Sequence, residues 1–301
     1  MLLPKTDLHV SPVCLGTDIA GTSHDEAAFF AVLDAFAEGG GNFLDTANVY
    51  ARWLPHGENC SEQMIGRWLK SRKKPLVIAT KGCHFDLATR RSRLNKDCLA
   101  YDVESSLRAL GTETLDLYYF HRDDPSLPVG ALLELSEEQV KKGNIRYYAA
   151  SNFSPARMRE AADYAEKHGL KGFVALSNRG SLAVPNEIHN PTPDTMWACD
   201  EEEWVFHRET KLPLLPYGAT ARGYFAKRAA GRDGTQGYDN PANEATFSRL
   251  LALSRETGES VGTLAVTEFV KSADFPLIPV VGVSRPEHIT DLIRAMRMLD
   301  E

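Results

Sequence analysis

The feature that most constrains the fold is a repeat of pattern: a short apolar run of strand length, then a longer amphipathic stretch. The short runs are Val10–Thr17, Gly41–Asp45, Pro75–Lys81, Leu115–His121, Ile145–Ser151, Gly172–Asn178, Leu212–Tyr217 and Leu277–Val283. Several are near-continuous in apolar residues, such as LVIA (Leu76–Ala79) and LDLYYF (Leu115–Phe120), as strands covered on both faces read. The stretches between them carry helix boundary signals. Ser23 and Glu26 have capping-box spacing before an apolar stripe at Phe30, Leu33 and Ala37. Ser154-Pro155 starts a helix that His168-Gly169 ends, and Gly111 and Gly143 are expected as left-handed C-caps. Eight strands alternating with helices predict parallel β-α-β units, closed as a barrel or wound as an open sheet.

The chain has 301 residues, and a barrel of this kind takes roughly 250 plus insertions. The expectation is therefore an α/β fold, a (β/α)8 TIM barrel in a single domain over residues 1–301. It departs from the bare barrel in two ways. Two helices, Asn243–Thr257 and Ser260–Ser272, precede the last strand in place of one. Ser181–Cys199 and Lys227–Pro241 are long rim loops, expected to be mobile and to order over a ligand.

Charge and cysteines narrow the class. A net charge of −7, with Lys and Arg gathered into no stripe, argues against nucleic acid as a partner. The five cysteines (Cys14, Cys60, Cys83, Cys98, Cys199) are widely spaced without C-x-x-C, so reduced thiols and a cytoplasmic location are expected. No apolar run approaches the roughly 20 residues that span a bilayer, so no membrane partner is expected. MLLPKTDLHVSP lacks the apolar core of a signal peptide.

The strand ends carry the chemistry. The second run ends at Asp45, the third at Lys81, the fourth at His121, the fifth at Ser151-Asn152, the sixth at Ser177-Asn178 and the seventh at Tyr217. In a barrel all of these ends share one rim, the rim on which barrel enzymes build their sites. Tyr50 follows Asp45 by five residues, within reach of that rim. A free phenol has a pKa of about 10. An adjacent Lys81 ammonium, oriented by Asp45, is expected to lower it towards neutrality and make Tyr50 an acid–base, with His121 donating to a polarised carbonyl.

NFLDTANVY (Asn42–Tyr50), VIATKG (Val77–Gly82), LDLYYFHRDD (Leu115–Asp124) and IRYYAASNFSP (Ile145–Pro155) resemble the aldo-keto reductases, as do VSPVCLGT (Val10 onwards) and VGVSRPEHI (Val281–Ile289). The resemblance runs in order from about residue 8 to residue 295. It implies a catalytic tetrad of Asp45, Tyr50, Lys81 and His121, and carbonyl–alcohol interconversion with NADP(H), NAD(H) being the alternative. It further implies that the nicotinamide cofactor meets Gly16, Thr17, Asp45, Ser151, Asn152, Ser177, Tyr217, Arg222, Gly282, Ser284, Arg285 and His288. Within that set, Ser151 and Asn152 hold the carboxamide and Tyr217 stacks on the ring. Ser284 and Arg285, at a helix start, would meet the adenosine 2′-phosphate, since helix starts bind anions.

Some positions depart from the family pattern: Ser177 replaces a glutamine, Gly218-Ala219-Thr220 replaces Ser-Pro-Leu, and His288 and Leu292 stand where Arg and Asn are frequent. Substrate contacts are expected from Trp53, His84 and His121. No G-x-G-x-x-G follows a strand, so a Rossmann site has no fingerprint. Two other functions share these residues: a Schiff-base aldolase using Lys81, and a slow-turnover NADP(H) sensor. No metal site is expected; there is no H-x-H, and the nine histidines are scattered.

Overall fold

The computed structural model describes residues 1–187, 197–232, 237–283 and 286–300. Among these, seven parallel strands alternate with helices: β1 Cys14–Gly16, β2 Phe43–Asp45, β3 Val77–Gly82, β4 Leu115–Phe120, β5 Ile145–Ser151, β6 Leu176–Ser177 and β7 Val280–Gly282. Their order is β6-β5-β4-β3-β2-β1-β7, each neighbour parallel. The predicted strand Leu212–Tyr217 occupies the gap between β6 and β7 and closes the ring. Leu215 N–H donates to Leu176 O at 2.8 Å, and Ile278 N–H donates to Leu214 O at 2.9 Å. This segment pairs by isolated bridges, Leu176↔Leu214, Arg179↔Tyr217 and Leu214↔Leu277. The reason is local: Pro213 and Pro216 have no N–H to give, so no continuous ladder forms. The fold is a (β/α)8 barrel with one irregular stave.

The helices are α1 Glu26–Glu38, α2 Cys60–Arg72, α3 Lys96–Leu110, α4 Val129–Lys141, α5 Pro155–His168, α6 Glu201–Thr210, α7 Tyr224–Ala229, α8 Pro241–Thr257, α9 Val261–Lys271 and α10 Ile289–Asp300. Of these, α8 and α9 are the pair expected before the last strand. Ser154 caps α5 by accepting from Arg157 N–H, and Gly169 (φ +64°) ends it. The capping of α1 differs from expectation. Asp25, not Ser23, accepts from Ala28 N–H, and the buried stripe is Phe29, Val32, Leu33 and Phe36. Phe30 and Ala37 lie at the edge of that stripe, partly buried against the core.

Two apolar layers hold the barrel. One lies between strands and helices and includes Phe29, Phe36, Trp68, Tyr118, Phe120 and Phe153. The other fills the interior with Cys14, Phe43, Ala79, Leu117, Tyr119, Ala149, Ala175, Leu215 and Val280. Leu3, Leu8 and Val10 of the N-terminal turn join this interior cluster. They cover the strand starts, where Asn42 Nδ2 donates to His9 O at 2.8 Å. That closes one mouth of the barrel and leaves the other for chemistry. None of the described helices is long and apolar enough to cross a membrane.

Candidate active site

Side chains on a strand return to the same face every second residue. Two residues beyond the interior layer of Cys14, Phe43, Ala79, Tyr119, Ala149, Ala175, Leu215 and Val280 stand Gly16, Asp45, Lys81, His121, Ser151, Ser177, Tyr217 and Gly282. The period of the strand thus brings the predicted rim residues into the layer above the apolar plug.

Asp45, Lys81 and His121 are buried there. Lys81 Nζ is ion-paired with Asp45 Oδ1 and donates to Thr46 O at 3.0 Å and Tyr50 Oη at 3.2 Å. Tyr50 reaches it because the chain after β2 folds over the end of β3, with Thr46 N–H on Ala79 O (2.8 Å) and Asn48 N–H on Lys81 O (3.0 Å). Gly82 lets β3 continue past its neighbour: a Cβ there would lie 1.9 Å from Tyr118 Oη. The imidazole of His121 is edge-on to Tyr50, with ring centres 6.0 Å apart, and His84 packs on its other side at 4.8 Å. The loop that carries His84 is strapped by buried Asp102, which accepts from Cys83 N–H at 2.7 Å and pairs with Arg93 at 2.7 Å.

Burial governs the charges. Desolvation works against the Lys81 ammonium, but Asp45 and Tyr50 outweigh it and hold the group above the ordinary lysine range. Burial likewise pushes the Asp45 carboxyl up, with the ammonium pulling it back. Burial and then the nearby Arg122 charge press His121 well below the usual imidazole range, so its ring is neutral. His84 falls to about 4 for the same reasons. Tyr50 corrects the expectation from sequence. Its phenol is pushed up to about 12, not down, because the desolvation of a phenolate exceeds the pull of Lys81, and Asp45 and Asp18 oppose that pull.

A cleft of about 830 Å³ opens over this cluster. Of the predicted residues it is lined by Gly16, Thr17, Asp45, Tyr50, Tyr217, Arg222 and Gly282. Thr17 presents no free hydroxyl, since its Oγ1 donates to Asp45 O (2.9 Å) and meets Ser61 Oγ (2.8 Å). Ser151 and Ser177 are paired across β5 and β6, and Ser177 Oγ is buried without a partner. Asn152, held at φ +63°, spends its amide on protein groups. Its Nδ2 donates to His121 O and Ser151 Oγ, and its Oδ1 accepts from Tyr217 Oη at 2.6 Å and Trp197 N–H at 2.9 Å.

Other predicted residues do not join the cleft. Trp53 is 58% exposed beyond a left-handed turn at Ala51 (φ +68°). His288 sits in the short 3-10 turn Pro286–His288 and is not among the residues that line the cleft. Ser284 and Arg285 lie outside the described residues, as do parts of both rim loops, 188–196 and 233–236. Two lining residues, Asp18 and Arg179, were missed by the sequence reading. Each directly follows a residue at a predicted strand end, Thr17 and Asn178, where strand alternation alone would turn it to the opposite face.

The sequence profile of the aldo/keto reductase family matches residues 12–301. The chain belongs to the aldo/keto reductase family. It is 29% identical to norsolorinic acid reductase B of Aspergillus parasiticus, over 99% of this chain and 79% of that protein. It is 25% identical to the aryl-alcohol dehydrogenase [NADP(+)] of Phanerodontia chrysosporium, over 98% and 80%. Among solved structures it is similar to the holo form of an aldo-keto reductase of Bacillus halodurans (26% identity, TM-score 0.74, 98% of this chain and 89% of that one). The glycerol dehydrogenase of Gluconobacter oxydans has the same fold (24% identity, TM-score 0.76, 97% and 88%). This aldo/keto reductase is an oxidoreductase by family.

Proposed function

We propose that this aldo/keto reductase interconverts aldehydes or ketones, sugars among them, and alcohols by NADP(H)-dependent hydride transfer, with Tyr50 as general acid and base. The observation that carries the reading is the Tyr50 hydroxyl, which lines the cleft, bonded to a lysine held charged and edge-on to a neutral imidazole.

The residues around the cleft fit a dinucleotide phosphate. Asp45 Oδ2 and Ser177 Oγ are buried polar atoms without hydrogen-bond partners among the described residues. Arg179 and Arg222 line the same cleft without a carboxylate partner among the described residues, which suits a diphosphate. Tyr217 offers a ring at the cleft wall, and Ser151 would reach the carboxamide, with Asn152 holding the Ser151 and Tyr217 hydroxyls in place. The 2′-phosphate is assigned to Ser284 and Arg285, with support from the relative named for NADP(+). When bound, the nicotinamide supplies or takes up the hydride.

The chain's own groups handle the proton. In reduction the substrate oxygen sits between Tyr50 and His121. The neutral imidazole donates one N–H to it, and Tyr50, protonated throughout the physiological range, delivers its proton as negative charge develops on that oxygen. Lys81 stabilises the phenolate left behind, and Asp45 keeps Lys81 in place. The same charged Lys81 disfavours the Schiff-base alternative, which requires a neutral amine.

The test is NADPH oxidation with a panel of aldehydes, ketones and sugars, in wild type and Tyr50→Phe, with cofactor binding measured separately. Turnover lost in the variant while NADPH still binds supports the role. Steady-state wild-type turnover that Tyr50→Phe leaves intact would sink it, and NADPH binding without turnover would identify a sensor.

A further inference from the structure

We propose that Arg122 is the anion-recognising element of the substrate site, so that the carbonyl compounds taken here carry a carboxylate. This deepens the reductase reading above and rests on it.

Arg122 directly follows His121 at the end of β4, and one of its NH groups donates to the His121 carbonyl oxygen at 3.0 Å. Its Nε is buried without a hydrogen-bond partner among the described residues. No carboxylate pairs with it among the described residues, although two acids follow it in HRDD. Asp123 is taken by Arg157 at 3.2 Å, and Asp124 accepts from the Ser126 hydroxyl at 2.6 Å. Asp45 is committed to Lys81.

Among the described residues the surroundings add no compensating charge to Arg122. His84 and His121 are kept neutral, by burial first and by the Arg122 cation second. Arg90 adds a second like charge, stacked 4.0 Å over Phe85. Tyr50 and Tyr217, which line the cleft, are within electrostatic reach of the guanidinium, and its bond to the His121 carbonyl oxygen holds it at the end of β4. A half-buried guanidinium without a counter-charge is costly to keep. The planar guanidinium, held through one NH group on the His121 carbonyl oxygen, suits the two oxygens of a carboxylate. Neutral histidines leave Arg122 as the group to which such a substrate would orient.

The test compares acid and ester. kcat/KM is measured with NADPH for 3- and 4-carboxybenzaldehyde and for their methyl esters, in wild type, Arg122→Met and Arg122→Lys. Isophthalate and terephthalate, which cannot be reduced, are titrated calorimetrically into the same three proteins with NADP+ present. Wild type is expected to favour acid over ester by tenfold or more. In Arg122→Met that ratio should fall by about ten- to a hundredfold, the range for losing a charge-assisted hydrogen bond. Arg122→Lys, which keeps the charge but loses the fork, should retain an intermediate ratio.

An acid-to-ester ratio near one in wild type would overturn the proposal. So would a ratio unchanged in Arg122→Met, the result of a merely structural role in holding the His121 backbone. If no aldehyde is reduced, dicarboxylate binding that vanishes in Arg122→Met still upholds the anion site while the reductase reading fails. Absent binding in wild type removes the site itself. Melting curves of both variants separate lost recognition from lost folding.

Discussion

The two halves of the rim are built differently. On one side, β2, β3 and β4 are continuously paired, and Asp45, Lys81 and His121 emerge at or just past their ends, buried. On the other side, β6 has two residues, its neighbour is a proline-broken stave, and the following loop takes left-handed φ at Gly218, Ala221, Arg222 and Gly223. Proton-transfer geometry tolerates little displacement, so it stands on paired strands. Irregular backbone frees N–H groups and side chains to face a ligand, and there the cleft carries Arg179 and Arg222. Substitutions in the regular half should therefore lower kcat, and those in the irregular half should raise cofactor KM.

The largest effect is expected from Tyr50→Phe: kcat falls about a thousandfold or more, and NADPH affinity shifts by about twofold at most. A loss confined to KM would break the comparison. The wild-type pH profile sharpens it. With the phenol at about 12, reduction should stay level from neutral pH to about pH 10, whereas alcohol oxidation, which needs the phenolate, should rise with pH over the same span.

Lys81→Met comes next, with kcat reduced about a hundredfold or more, since a phenolate at Tyr50 would then face no cation. Asp45→Asn should act in the same direction more mildly, because the lysine remains. It should also lower the melting temperature, since it leaves a buried ammonium without its partner.

In the irregular half, Arg179→Ala and Arg222→Ala should each raise the KM for NADPH about tenfold, with kcat within about threefold of wild type. Equal losses in kcat would erase the distinction between the two sides. Arg285→Ala should weaken NADPH about ten- to a hundredfold and leave NADH nearly unaffected, as measured by kcat/KM for both cofactors.

The smallest effect on turnover concerns Glu62, buried behind β3, accepting from Thr80 Oγ1 and Asn59 Nδ2, both at 2.6 Å. Burial pushes its carboxyl up to about 7. A raised folded pKa stabilises most below the unfolded value. Its contribution is lost as pH rises from about 4.5 to about 7, by at most about 3 kcal/mol. Glu62→Gln should flatten the decline of melting temperature across that window while changing kcat little.

Several details escaped sequence reasoning for identifiable causes. Leu212–Tyr217 reads as a strand because its apolar run is strand-like, yet two prolines reduce it to bridges. Ser23 and Glu26 match a capping box, but Asp25 offers a carboxylate nearer the first helical N–H groups. Trp53 lies close to Tyr50 in sequence, and an intervening left-handed residue sends it to solvent. The direction of the Tyr50 shift was inferred from one neighbour, Lys81. Only the enclosing structure shows how completely water is excluded and how many carboxylates share the site.

By itself, the sequence determined the alternation of strands and helices, the closure expected from eight units, and the rim position of Asp45, Lys81 and His121. These follow from periodicity and from strand ends, both local properties of the chain. The tertiary structure decided which polar groups are left without partners among the described residues: Ser177 Oγ, Asp45 Oδ2 and Arg122 Nε, with no carboxylate of the described residues paired to Arg179 or Arg222. Partnership depends on every element that converges on a point, from residues far apart in the chain, and no local pattern encodes it.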